Sequence, residues 1–186
     1  QLVINRDFEG IDRVCTDSEA SIREGLNWLM IEAGREIAFI CHKESVMRPY
    51  QAERIITFYE LCFEFGVILS PESIFNLDFT RFTECFERIG AKLFDRPRVP
   101  RGIFVMNYEL VIPTLMCASG YGLKMGRDFF LLTFDKVPGL EDSGGAAMIC
   151  QSYRLFRQSV ERWLRRIDSG DRKPFDERIK ATLEIG

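Results

Sequence analysis

Short apolar runs of strand length alternate with longer segments of helical period along most of this 186-residue chain, and no other feature constrains its fold as strongly. Glu36–Cys41 (EIAFIC), Gly102–Met106 (GIFVM), Phe129–Phe134 (FFLLTF) and Ala147–Cys150 (AMIC) are apolar at nearly every position, not at every second one. Such strands need cover on both faces, the condition of a parallel sheet between layers of helix.

The intervening segments supply that cover. Thr16-Asp17-Ser18-Glu19 reads as a capping box, with Thr16 as the cap and Glu19 reaching back. A helix is expected from there to about Ala33, with Ile22, Leu26 and Leu29 on its buried stripe. Further helices are expected over Gln51–Phe65, Asp78–Phe94, Glu109–Tyr121 and Tyr153–Ser169. Leu2–Ile4, Ser73–Leu77 and a segment near Ile179–Leu183 complete the strands. Strand–helix–strand crossovers of this kind are right-handed and give an α/β fold, a parallel sheet sandwiched by helices. Ligands on such sheets bind at the carboxyl ends of strands. The residues there are His42–Glu44, Asp78-Phe79, Asn107-Tyr108, Asp135-Lys136 and Gln151.

Charge and cysteine usage narrow the function. A net charge of −3 argues against a surface devoted to nucleic-acid backbones. The arginines at 154, 157, 162, 165 and 166 alternate with apolar residues and read as the solvated face of the last helix. The six cysteines form no CxxC pair and read as small buried hydrophobes in a reducing cytoplasm. No run approaches the roughly 20 apolar residues that span a bilayer. His42 is the only histidine and reads as a loop residue, while Ser143-Gly144-Gly145 lacks the lysine of a phosphate loop. The chain therefore reads as a non-enzyme with no metal and no cofactor.

Five segments in order resemble the effector-binding core of the lactose/galactose repressor family, which shares its fold with type 1 periplasmic sugar-binding proteins. They are Val14–Ile40, Arg54 with Phe58, Gly66 and Val67, Gly102–Asn107 with Gly122-Leu123, Asp128–Asp135, and Ala147–Gln151. The resemblance implies the sensing domain of a cytoplasmic bacterial transcription regulator that binds a sugar-like polar ligand between two lobes. It implies a homodimer and DNA contact only through an output domain outside this chain. Two alternatives share the fold: the sensor of a diguanylate cyclase, and a dimerisation module that has lost its ligand.

The resemblance also assigns roles by position. Arg54 would fork onto ligand hydroxyls or a carboxylate, Asn107 would offer both a donor and an acceptor, and Asp135 would accept from paired hydroxyls. Phe79 would stack on a ring face, and Gln151 and Asn5 would sit on the hinge side of the cleft. Tyr108 and Lys136 replace smaller or acidic family residues and would change the size and charge of the pocket. Residues 12–137 are expected to form a complete carboxyl-terminal lobe, with 1–11 and 147–186 as pieces of the amino-terminal lobe. The chain looks truncated at its amino end, and the unpaired strand edges of that second lobe would need cover from missing chain or from another copy.

Overall fold

Every residue of Ile37–His42 (β3), Gly102–Val105 (β5) and Ala146–Cys150 (β7) is buried. The fold, given by a computed structural model, describes residues 1–6, 10–43, 49–78 and 80–186. These three strands lie inside a six-stranded sheet, flanked by Ile74–Leu77 (β4), Phe130–Phe134 (β6) and Thr182–Ile185 (β9) in the order β4-β3-β5-β6-β7-β9. All its pairings are parallel except β7 with β9.

Side chains of one strand point alternately to the two faces, so a two-sided strand feeds two cores. Ala38, Ile40, Ile103, Val105, Leu131 and Met148 face one core. Helix α3 (Phe82–Ile89), the π-helical turn Gly90–Phe94 and helix α4 (Val111–Gly120) close that side. Ile37, Phe39, Phe104, Leu132, Phe134 and Ile149 face the other. There they meet helices α1 (Ser18–Ala33) and α2 (Pro49–Phe65). Phe58 of α2 stacks on Phe39 at 4.2 Å and meets Phe104 edge-on at 5.1 Å. Burying one such ring stabilises by about 1.5–3 kcal/mol.

Two glycines are required by geometry. A Cβ on Gly25 would lie 2.8 Å from Leu132 Cδ1, so its absence lets α1 lie close to β6 and β7. Gly66, at φ 63°, ends α2 in the left-handed region while the Val67 N–H returns to the Cys62 carbonyl at 2.8 Å.

The second sheet has three parallel strands in the order β1 (Leu2–Ile4), β2 (Asp12–Asp17), β8 (Asp176–Lys180). Helix α5 (Tyr153–Asp168) packs on it through Phe156, which meets Val14 and Ile179. Asp12 anchors the far end. It accepts from Trp163 Nε1 at 2.7 Å, the Phe175 N–H at 2.8 Å and Arg166 Nη2 at 2.5 Å. Ala181 alone separates β8 from β9, so one extended segment passes from the small sheet to the large one. The Ala181 N–H donates to Ser21 Oγ at 2.9 Å.

Several expectations need correction. The sheets divide the chain differently from the 12–137 partition. Asp12–Asp17 belongs to the small sheet, and Ala146–Cys150 and Thr182–Ile185 belong to the large one. The last strand is two strands, because the mostly polar Asp176–Lys180 gives little apolar signal. The cap of α1 is Asp17, whose Oδ1 accepts from the Ala20 N–H at 3.0 Å, and not Thr16, which lies in β2. The helix expected over Asp78–Phe94 begins only at Phe82 and loosens into the π turn at Gly90. His42 is no loop residue. It ends β3, is buried, and its Nε2 lies 3.5 Å from Glu109. Arg166 and Arg162 are held by Asp12 and Glu177, so the last helix's basic face is only partly solvated.

Candidate functional site

Arg54 shares a helical stripe with Phe58 and Leu61, spaced four and seven residues on, and those two are core residues. A charged side chain is thereby carried inward, and Arg54 is only 4% exposed. Its guanidinium carbon lies 3.7 Å from the centre of the Phe134 ring and 5.1 Å from that of Tyr50. Among the described residues its guanidinium makes no hydrogen bond or ion pair. Burial pushes its pKa below arginine's ordinary value, and the Asp135 charge pulls it back up. Five N–H donors set against two rings on the cleft wall, without a protein acceptor among the described residues, are open to a ligand that supplies one.

Asp135 follows Phe134 at the end of β6, and its carboxylate accepts from Gln151 Nε2. Gln151 follows β7, and its Oε1 accepts from Asn5 Nδ2 at 2.6 Å and from Thr16 Oγ1 at 3.0 Å. Asn5 Oδ1 in turn accepts from the Thr16 N–H at 2.8 Å. The network joins the strand ends of the small sheet to those of the large one. Asn5 (φ 48°) and Asp135 (φ 70°) are the two non-glycine residues with positive φ among the described residues. Asn and Asp tolerate that conformation best, and such strain collects at binding and switch sites.

A cleft of about 560 Å³ opens between the small sheet and α2, within the usual size of small-molecule sites. Asn5, Arg6, Thr16, Tyr50, Arg54 and Arg178 are among its walls. A larger hollow of about 710 Å³ lies beside β4. Its Arg96 is already occupied by the Lys92 and Glu72 carbonyls and by Ser73 Oγ, so it offers fewer unfilled donors.

Of the six residues expected from sequence, Arg54 and Asn5 line the cleft. Gln151 and Asp135 stand behind them through hydrogen bonds and charge. Asn107, after β5, is buried, and its Oδ1 accepts the His42 N–H at 2.9 Å, so that atom serves the sheet end. Phe79 lies outside the described residues. Lys136, expected to charge the pocket, instead pairs with Glu184 of β9 at 2.9 Å. Tyr108 is 51% exposed and is not among the residues lining the cleft. Sequence reasoning did not single out Arg6, Thr16, Tyr50 or Arg178 for this cleft. Arg6 lies two residues past β1, and Tyr50 stands one helical turn before Arg54, so strand ends and helix period each held a clue.

No protein-family profile and no curated protein matches the chain. Solved structures do. A LacI family transcription regulator from Clostridium acetobutylicum superposes over 98% of this chain and 67% of its own, at a TM-score of 0.78 and 13% identity. A structure described as a LacI transcriptional regulator from Bacillus cereus subsp. cytotoxis gives 0.76 and 16%, covering 98% of this chain and 65% of its own. The lac repressor dimer bound to operator and the anti-inducer ONPF gives the same 0.76 and 16%, covering 98% and 63%.

The chain has the fold of the LacI-family effector-binding core.

It spans about two-thirds of the length of those solved chains. The LacI-type core accounts for the two-sheet plan found here. The cleft lies between the small sheet and α2, and the strand-end network joins the small sheet to the large one.

Proposed function

We propose that this chain is the small-molecule-sensing core of a cytoplasmic transcription regulator, with DNA read by an output domain outside the chain. A polar, sugar-like ligand enters the cleft, satisfies Arg54, and alters how the two sheets meet through Asn5, Gln151 and Asp135. The single observation carrying this reading is the Arg54 guanidinium, buried against Phe134 with no protein acceptor among the described residues. That unfilled demand favours a working pocket over a ligand-free dimerisation module. The structural neighbours are named as repressors and regulators, which favours a DNA-reading output over a diguanylate cyclase.

The reading includes a homodimer. Tyr108, Ile112 and Met116 are each about half exposed and fall four residues apart, one stripe along α4 and the turn before it. No helix of the described residues is long and apolar enough to cross a membrane.

A thermal-shift screen of sugars, nucleosides and amino acids tests the reading. Saturation about 100-fold above Kd raises stability by about 2.7 kcal/mol. The shift should vanish in Arg54→Ala and weaken in Asp135→Ala. A shift that survives Arg54→Ala would falsify the assigned site.

A further inference from the structure

The cleft wall is more basic than the chain as a whole. Among the described residues, Arg6, Arg13, Arg54 and Arg178 line it against two carboxylates, Glu53 and Glu60, in a protein of net charge −3. Two of these arginines are already engaged. Arg178 Nη1 donates to Glu53 at 2.8 Å, and Arg13 pairs with Asp176 at 2.7 Å. Arg6 and Arg54 remain. Both guanidiniums sit on the Tyr50 ring, at 4.9 and 5.1 Å from its centre. Arg6 Nη1 donates to the Asn5 carbonyl at 2.9 Å. Among the described residues neither side chain forms an ion pair with a carboxylate.

Two guanidiniums held by one aromatic ring, one of them 4% exposed, are poorly matched to a neutral guest. Each planar fork presents parallel N–H groups suited to two oxygens of one oxyanion. Asp135 offsets part of the charge at Arg54 from behind, and among the described residues of the wall no carboxylate pairs with Arg6.

We infer that the ligand of this cleft is an anion: a small polar molecule carrying a carboxylate or phosphate that is held by Arg54, with Arg6 supplying the second positive charge. This rests on the binding reading above and adds the ligand's charge class. The polar walls at Asn5, Thr16 and Ser18 meet the rest of the molecule.

Matched pairs separate the two claims. Gluconate, glucuronate, glucose 6-phosphate and ribose 5-phosphate are each compared with neutral glucose or ribose, by thermal shift and calorimetry. The variants are wild type, Arg6→Ala, Arg6→Glu and Arg54→Gln. At least one acid or phosphate should raise Tm by about 5–10 °C near 100-fold Kd, with its neutral parent binding at least tenfold more weakly. Arg6→Ala should weaken the anion about tenfold and Arg6→Glu more, with the circular dichroism of the fold unchanged. Raising salt from 50 to 500 mM should weaken it severalfold. Sugar acids responding alone identify a carboxylate, and sugar phosphates responding alone a phosphate. A neutral sugar that binds as tightly as its acid, and still needs Arg54, overturns the inference and leaves the binding reading standing. Anion binding indifferent to both Arg6 variants also overturns it. No shift from any member of either series sinks both.

Discussion

Asn5 donates its side-chain amide to the Gln151 side-chain oxygen at 2.6 Å, across 146 residues of sequence and from one sheet to the other. The bond is one link in a run from Thr16 through Gln151 to Asp135, and Asp135 lies in the field of Arg54. Asn5 and Thr16 thus tie the cleft wall to the joint by hydrogen bonds, while Arg54 is coupled to it only through the charge of Asp135. A ligand held by Arg54 as proposed above should act on the joint through that charge.

Gln151→Leu should destabilise the chain by about 1–3 kcal/mol, because it strands the Asn5 amide and removes the partner of the Asp135 carboxylate, leaving the Thr16 hydroxyl only Asn5 Oδ1. Urea unfolding checks this. Faster amide exchange in Leu2–Ile4 than in Ile37–His42 would mark the joint as the part that loosens. A midpoint equal to wild type would mean the network carries no stability.

Asp12 sets a pH dependence in the small sheet. Burial raises its pKa, but hydrogen bonds from Trp163 and the Phe175 N–H, with the charge of Arg166, outweigh burial and leave it below the ordinary value of 3.8. A depressed carboxylate contributes its full stability above the ordinary value and loses it as pH falls through the lower folded value. Asp12→Asn should therefore be less stable than wild type at pH 7, with the gap closing below about pH 3.8. A gap that stays constant down to pH 2 contradicts this assignment.

The cysteines should be unreactive in the folded chain. Burial pushes the thiols of Cys41, Cys62 and Cys150 up to about 12 and that of Cys117 up to about 11. The thiolate is the reactive form, so at pH 8 a chromogenic disulfide should label Cys15, the half-buried one, well before the others. All six should react in guanidinium chloride. Rapid labelling of Cys41 in the native state would show that β3 opens readily.

Ile112→Glu together with Met116→Glu should turn a dimer into a monomer while leaving thermal stability within about 1 kcal/mol, because both side chains are about half exposed. Sedimentation over a concentration series reads the outcome. An unaltered dimer places the interface elsewhere.

The large sheet was legible in the sequence because β3, β5, β6 and β7 are apolar on both faces, a pattern that leaves few alternatives. The small sheet was harder to read. Its β8, Asp-Glu-Arg-Ile-Lys, buries only Ile179, and β1 is three residues long. Helix boundaries turned on single residues, as at Thr16 against Asp17, where two adjacent side chains could both serve as the cap and tertiary contacts claimed the first. Of the site, Arg54 was singled out through its motif, since charge on a buried stripe is invisible to periodicity alone. Arg6 and Tyr50 reach the cleft only after chain segments more than forty residues apart come together, which no local pattern records.

Ala181 gives the core a mechanical property. Since one residue lies between the last strand of each sheet, the two sheets share an axle there, and sliding past one another would tear the strand out of both registers. Rotation about the Ala181 dihedral angles is the cheaper movement, and the Ser21 hydroxyl holding its N–H acts as the detent. For a ligand held as proposed above, the expected effect at this edge of the molecule is a twist and not a translation. Deleting Ala181 would turn each inward side chain of β9 outward and jam that twist at its pivot.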